Sequence, residues 1–145
     1  MNAYADTSFL VALYVPQSHS EQAAKWVASC RTPLPVTPFG VHEFKNAISL
    51  LAFRQHLSTA DELALCHEFE TDLAHGRFAA VTPVWHDVFA QADRLREDFT
   101  AILGVRGMDI LHVAAALSLG ATVFLTFDDR QKALATKAGL KVRPA

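Results

Sequence analysis

The sequence predicts an α/β fold, a parallel sheet covered by helices on both faces, within one domain spanning residues 1–145. Three observations carry this. Short runs of strand composition alternate with helical segments along the whole chain, the pattern that builds parallel sheets through crossover helices. The run "ATVFLTF" (121–127) is β-branched and aromatic, a composition that suits a pleated surface. The segment "RGMDILHVAAALSLGA" (106–121) is apolar around nearly its whole circumference, as in a helix buried on most sides.

Taken in order, "NAYAD" (2–6) reads as a short strand ending at Asp6, and "TSFLVALY" then turns helical until Pro16 stops it. Ser18 or Ser20 can cap a second helix to about Cys30, with Ala23, Ala24, Trp26 and Val27 on its apolar side. "LPVT" (34–37) is a second strand. Thr37 followed by Pro38 fits an N-cap and first helical position for a helix reaching about Gln55. "STADELALCHEFETDLAHG" opens on a capping signal and stops at Gly76. "RFAAVTP" is a third strand closed by Pro83, and a long helix follows from about His86 to Leu103. After the apolar helix and the strand at 121–127, a last helix spans Asp128 to Ala138 and ends at Gly139. "LKV" then makes a short edge strand. No repeat, low-complexity tract or linker interrupts this alternation.

A chain of 145 residues can bury a core without disulfides or metals to staple it. With 51% apolar and 19% charged residues, it is not a disordered chain. No apolar run approaches the ~20 residues needed to cross a bilayer, and the N-terminus lacks the basic start of a signal peptide. The expectation is a soluble, cytoplasmic protein with no membrane partner. Cys30 and Cys66 form neither a disulfide framework nor a C-x-x-C zinc knuckle, which fits reduced thiols. A formal net charge of −2 excludes global attraction to nucleic acid. The basic end, with Arg130, Lys132, Lys137, Lys141 and Arg143, either meets phosphates locally or forms a solvated face.

The carboxylates are the informative residues. Ligands of open parallel sheets bind beyond the carboxyl ends of the strands. Asp6 ends the first predicted strand, and Asp128 and Asp129 end the fourth, so all three belong to one rim. Glu43 shares a helical column with Phe39, Ala47 and Leu50, away from the face of His42, Lys45 and Ser49. Asp109 stands in the first turn of the apolar helix, with His112 one turn later.

Each acid has a bland reading. Asp109 favours the positive end of a helix dipole, Asp128 with Gln131 makes a capping box, Asp6 caps the helix from Thr7, and Glu43 meets Arg54 or another base across the core edge. His112 reads as a packed structural histidine before it reads as a ligand. Convergence would be another matter. Two carboxylates ~4 Å apart repel by about 4 kcal/mol at an effective dielectric of roughly 20. Several in one cleft therefore need protonation or a cation, and oxygen-only donors suit Mg²⁺ or Mn²⁺.

Three stretches, "YADTSFLVALY", "TPFGVHEFKNAI" and "RGMDILHVAAALSLGATVFLTFDDRQKALATKAGLKV", resemble the PIN domain family over essentially the full chain. More narrowly, they resemble the VapC-type toxins of prokaryotic toxin–antitoxin pairs. The resemblance implies an α/β/α sandwich around a parallel sheet and a metal-dependent endoribonuclease. The family's four acids fall on Asp6 in D-T-S, on Glu43, on Asp109 in D-x-L-H-x-A, and on Asp128 in T-x-D, beside Asp129. Thr7 or Ser8 supplies the small hydroxyl after the first acid.

On this resemblance Asp6 and Asp109 are the main ligands of Mg²⁺ (or Mn²⁺), and Glu43 and Asp128 complete a second or water-mediated shell. Hydrolysis by water would leave 5′-phosphate and 3′-hydroxyl ends. Implied partners are an RNA substrate, a second copy in a homodimer, and a cognate antitoxin whose arginine reaches the carboxylates and displaces the metal. Arg94, Arg96, Arg106, Arg130 and Lys132 are the candidate RNA contacts.

Other functions fit less of the sequence. A phosphoacceptor receiver domain needs paired acids after its first strand and a lysine after its last. A haloacid-dehalogenase-type phosphatase needs D-x-D where Ser8 stands. The alternatives that remain are a non-catalytic PIN-like interaction module and a PIN nuclease of RNA processing without an antitoxin. Four intact acids weigh against the first.

Overall fold

The structure, a computed structural model, describes residues 2–144 and has the expected α/β class with parallel strands. It groups into two compact units, one formed by the residues up to Asp6 with those from Thr82 onward, the other by Thr7–Val81.

The first unit holds a three-stranded parallel sheet in the order β1 (Ala3–Ala5), β4 (Val123–Leu125), β5 (Lys141–Arg143). Ala5 lies opposite Leu125, and Leu125 opposite Arg143. Every residue of β1 and β4 is buried, which is why these strands read as apolar runs and not as alternating patterns. On β5, exposed Lys141 and Arg143 guard the open edge with charge. The helices are α5 (Trp85–Leu95), α6 (Ala101–Leu103), α7 (Gly107–Ser118) and α8 (Asp129–Lys137). Tyr4, Phe124, Val88, Val113, Leu134 and the buried run Ala114–Ala116 form its core. Each fully buried large apolar side chain there contributes about 1.5–3 kcal/mol.

The second unit pairs β2 (Leu34–Val36) with β3 (Phe78–Ala80), also in parallel, and carries α1 (Thr7–Tyr14), α2 (Ser20–Ser29), α3 (Pro38–Phe53) and α4 (Thr59–Ala74). Its centre is aromatic: Tyr14, Phe44, Phe69 and Phe78 pack ring against ring, with Phe44 and Phe69 centroids 4.2 Å apart. The Tyr14 hydroxyl donates to Asp72 Oδ2 at 2.5 Å, and Arg77 Nη1 donates to the same oxygen at 2.8 Å. Burial first, then this carboxylate, push the Tyr14 phenol far above its ordinary range.

Several local signals behave as read. The Thr37 hydroxyl accepts from Gly40 N at 3.0 Å, with Pro38 in the first turn of α3. Ser58 and Asp61 form a capping box on α4. Beyond the ends of α4 and α8, Gly76 (φ 78°) and Gly139 (φ 87°) take the left-handed conformation that a Cβ disfavours.

Four readings change. Neither Ser18 nor Ser20 caps α2: His19 holds the N-cap position and its side chain makes no capping bond, while the Ser20 hydroxyl is occupied by Val15 O and Gln17 N. The helix expected over His86–Leu103 runs from Trp85 and contains a π turn at Arg96–Thr100. The strand read over 121–127 keeps only Val123–Leu125. The Glu43 column is not the packed face of α3. Gly40, Phe44 and Ile48 are buried, Phe39, Glu43 and Ala47 form a half-buried flank, and Leu50 is 41% exposed. No helix among the described residues is long and apolar enough to cross a membrane. Cys30 and Cys66 are free, half-buried thiols.

Candidate functional site

Parallel register brings two of the four acids into one hydrogen-bonded chain. Because Ala5 and Leu125 are partners, Asp6 and Thr126 leave the sheet side by side. Asp6 N donates to Leu125 O, and Thr126 N to Arg143 O, both at 3.0 Å. The Thr126 hydroxyl donates to Asp6 Oδ2 at 2.6 Å and accepts from Asp128 N at 2.9 Å. A hydroxyl has one proton, and the backbone N–H of Asp128 engages its oxygen, so that proton points at Asp6.

Asp6 is only 2% exposed and Thr126 is fully buried. A carboxylate taken out of water needs donors, and a charge-assisted bond is the strong kind. Thr126 is the functional residue that sequence reasoning passed over, treating it as one letter of T-x-D. Its signal was a hydroxyl directly after a strand, in register with an acid directly after another.

Asp128 is exposed and caps α8. Its Oδ1 accepts from Arg130 N at 2.9 Å and Gln131 N at 3.0 Å. The capping box expected with Gln131 forms only by half. Asp128 N is already given to Thr126, and Gln131 Oε1 is left buried without a hydrogen-bond partner. Asp129, the competing neighbour, has a side chain 97% exposed and pairs with Lys132 at 3.7 Å. Of the two adjacent acids, Asp128 is the one tied to Asp6.

Asp109 lies half-buried in the first turn of α7, where its Oδ2 accepts from Arg106 N at 3.2 Å. The helix-start reading of this acid therefore holds as far as it goes. The same helix is fixed to β1 by a buried polar pair. Tyr4 Oη lies 3.0 Å from His112 Nδ1, their rings meet edge to face at 5.9 Å, and Tyr4 stacks on Phe124 at 5.8 Å. Tyr4 stands two residues before Asp6, and His112 three after Asp109. His112 is thus packed, as expected, and holds the element that carries Asp109.

Glu43 sits half-buried on α3 of the Thr7–Val81 unit, and Thr7 and Ser8 open α1 of that unit, also half-buried. Among the described residues, no group of three or more His, Cys, Asp or Glu side chains that could hold a metal ion occurs. The donors linked through Thr126 are carboxylate oxygens alone. Mg²⁺ retains much of its water and binds through one or two carboxylates plus substrate phosphate, so this donor chemistry fits a hydrated Mg²⁺ or Mn²⁺.

No curated protein matches the chain in sequence. Among solved structures, the Mycobacterium tuberculosis toxin VapC20, which cleaves the sarcin–ricin loop, is 17% identical with a TM-score of 0.69, covering 98% of this chain and 99% of that one. FitAB bound to the IR36 DNA fragment is 19% identical with a TM-score of 0.72, covering 97% and 92%. Rickettsia felis VapBC2 bound to a fragment of its promoter DNA is 13% identical with a TM-score of 0.68, covering 99% and 98%. At these identities the likeness is one of fold, the three-layer α/β/α arrangement with a parallel sheet. The PIN domain family's profile matches residues 3–137, a span that takes in Asp6, Glu43, Asp109 and Asp128, and the chain belongs to the PIN domain family.

Proposed function

We propose that this protein is a Mg²⁺-dependent endoribonuclease, acting as a single domain and as the toxin of a VapBC-type toxin–antitoxin pair. Family membership over 3–137 supports the nuclease, and the likeness to toxin and toxin–antitoxin structures supports the pairing. The observation that carries the reading is the buried Asp6 carboxylate, gripped by Thr126 at the carboxyl edge of the sheet and tied through it to Asp128. Folding desolvates a charge there at a cost of several kcal/mol before compensation, which is typical of sites where the charge is used.

Asp6 and Asp109 would be the main ligands of the cation, with Glu43 and Asp128 in a second or water-mediated shell and Mn²⁺ able to replace Mg²⁺. When bound, a divalent ion supplies counter-charge to the phosphodiester and acidifies water near neutral pH. The chain's own part is orientation. Thr126 fixes the Asp6 carboxylate, the α8 cap fixes Asp128, and the Tyr4–His112 pair sets the helix bearing Asp109.

Of the candidate RNA contacts, Arg96 is engaged by Asp93 and Glu97, and Lys132 by Asp129. Arg94, Arg106 and Arg130 make no ion pair among the described residues and are exposed, as a phosphate contact must be. An RNA substrate, a cognate antitoxin and a second copy of the chain are the proposed partners, and the cytoplasm is the proposed location.

Incubating the purified protein with total cellular RNA tests this. Cuts that need Mg²⁺, leave 5′-phosphates and vanish in Asp6→Asn and Asp109→Asn are expected. Variants that cut as well as the parent would overturn the site, and no cleavage with either metal would favour a non-catalytic interaction module.

A further inference from the structure

One buried oxygen three residues from Asp128 goes without a hydrogen bond. Gln131 is 2% exposed, and among the described residues its Oε1 meets no donor. Folded proteins seldom bury an acceptor this way, because the group forfeits its water and gains nothing in exchange. Gln131 is the third residue of α8 after the Asp128 N-cap, the position from which a glutamine side chain reaches back to the N-cap N–H. Here that N–H goes instead to Thr126 Oγ1, at 2.9 Å.

The Asp128 N–H therefore has one proton and two rival acceptors, and the tally of bonds hardly separates them. Given to Thr126, it leaves Gln131 Oε1 buried and unsatisfied. Given to Gln131, it closes the capping box, and Thr126 keeps its 2.6 Å donation to Asp6 Oδ2, which by itself satisfies the hydroxyl. The rest of the cap, Asp128 Oδ1 accepting from Arg130 N and Gln131 N, serves either arrangement. Two arrangements this close in energy make a two-state element.

We propose that Gln131 is a positioning residue of the cation site, competing with Thr126 for the Asp128 N–H and so setting how often Asp6 and Asp128 are tied together. With the N–H on Thr126, the hydroxyl proton is aimed at Asp6 and both acids are joined through one side chain. With the capping box closed, Thr126 is free to rotate and Asp128 is drawn onto its own helix. The proposal rests on the metal site of the nuclease reading and adds a control to it. Binding of Mg²⁺ favours the Thr126-bound arrangement, and by linkage Gln131 lowers the apparent affinity for the ion.

Relaxation dispersion at the Asp128 amide of the full chain reads this exchange on the μs–ms timescale, with no cleavage needed. Gln131→Met keeps the length of the side chain and removes the rival acceptor, and Gln131→Leu removes it independently. Gln131→Glu keeps an acceptor at the same position. Without cation, the parent and Gln131→Glu should show dispersion. It should be lost in Gln131→Met, in Gln131→Leu and in the parent saturated with Mg²⁺. Equal population of two arrangements doubles an apparent dissociation constant, so Gln131→Met should bind Mn²⁺ about twofold more tightly than the parent. It should also unfold at a higher urea concentration, since no unpaired oxygen is then buried.

A flat profile at the Asp128 amide of the parent overturns the proposal. So does dispersion that persists in Gln131→Met or in the parent with Mg²⁺ bound. If Gln131→Met abolishes the exchange while the parent binds neither Mg²⁺ nor Mn²⁺, the metal reading fails and the competition for the N–H stands. If the parent binds Mg²⁺ and cuts RNA with no exchange at Asp128, the nuclease reading stands and this proposal fails.

Discussion

Replacing Thr126 with valine keeps the shape of the side chain and removes its hydroxyl. Two bonds go with it, the 2.6 Å donation to Asp6 Oδ2 and the 2.9 Å acceptance from Asp128 N. A hydrogen bond to a charged group contributes about 1.5–3 kcal/mol and a neutral one about 1 kcal/mol. The added methyl of valine returns up to about 0.8 kcal/mol through burial. The net loss should be about 2–3 kcal/mol, which lowers the thermal midpoint of a domain this size by roughly 5–10 °C.

Thr126→Ser is the control that gives the experiment its sign. Serine keeps both bonds and loses one buried methyl, a cost of about 1 kcal/mol. If the hydroxyl matters for its bonds, urea unfolding ranks parent above serine above valine. If Thr126 is only a filler of apolar space, valine matches or exceeds the parent and serine is the worst of the three. A valine variant at least as stable as the serine variant would refute the argument. The same pair, titrated with Mn²⁺, should show weaker metal binding for valine alone, because only there does Asp6 lose the bond from Thr126.

Thr37→Ala should cost about 1–2 kcal/mol in urea unfolding by removing the N-cap of the helix that carries Glu43, whereas Thr37→Ser stays near the parent. Tyr4→Phe removes the hydroxyl that meets His112 and should lose about 1 kcal/mol. It should also weaken Mn²⁺ binding if that pair sets the position of Asp109, and unchanged metal affinity would show the pair to be structural only. Tyr14 makes a prediction in pH. Its folded phenol ionises above the ordinary value, so its contribution is complete below about pH 10 and is lost above it, where the unfolded chain releases the proton. Stability should fall above about pH 10 by up to about 1.4 kcal/mol per pH unit, and Tyr14→Phe should flatten that limb; a wild-type curve already flat there contradicts the assignment.

Local chemistry made much of this protein legible. Thr37 before Pro38, Ser58 with Asp61, and Gly76 and Gly139 beyond helix ends are interactions within four residues, and each occurs where the sequence places it. Where a distant group competed, the local reading failed. Asp128 and Gln131 spell a capping box, but Thr126 takes the N–H that would have closed it. Glu43 shares a column with apolar residues, yet α3 turns the neighbouring column of Gly40, Phe44 and Ile48 inward. Helical spacing gives relative angles on a cylinder and leaves its rotation to whatever the helix packs against. The π turn at Arg96–Thr100 lies inside a run whose composition is helical throughout, so only its surroundings distinguish it.

By itself, then, the sequence determined the alternation of strands and helices, the carboxylates that end strands or open helices, and the motifs that place the chain in its family. Only the tertiary structure decided that Asp6 and Thr126, 120 residues apart, would directly follow paired parallel strands, so that the Thr126 hydroxyl donates to the Asp6 carboxylate. It also decided that Tyr4 would meet His112, and that Phe89, Met108 and Arg106 would line one groove with Asp109. The reason is the range of the forces. Caps, turns and periodicity act between residues a few positions apart. Strand order and register are chosen by burial summed over the whole unit, and they decide which polar groups must satisfy one another.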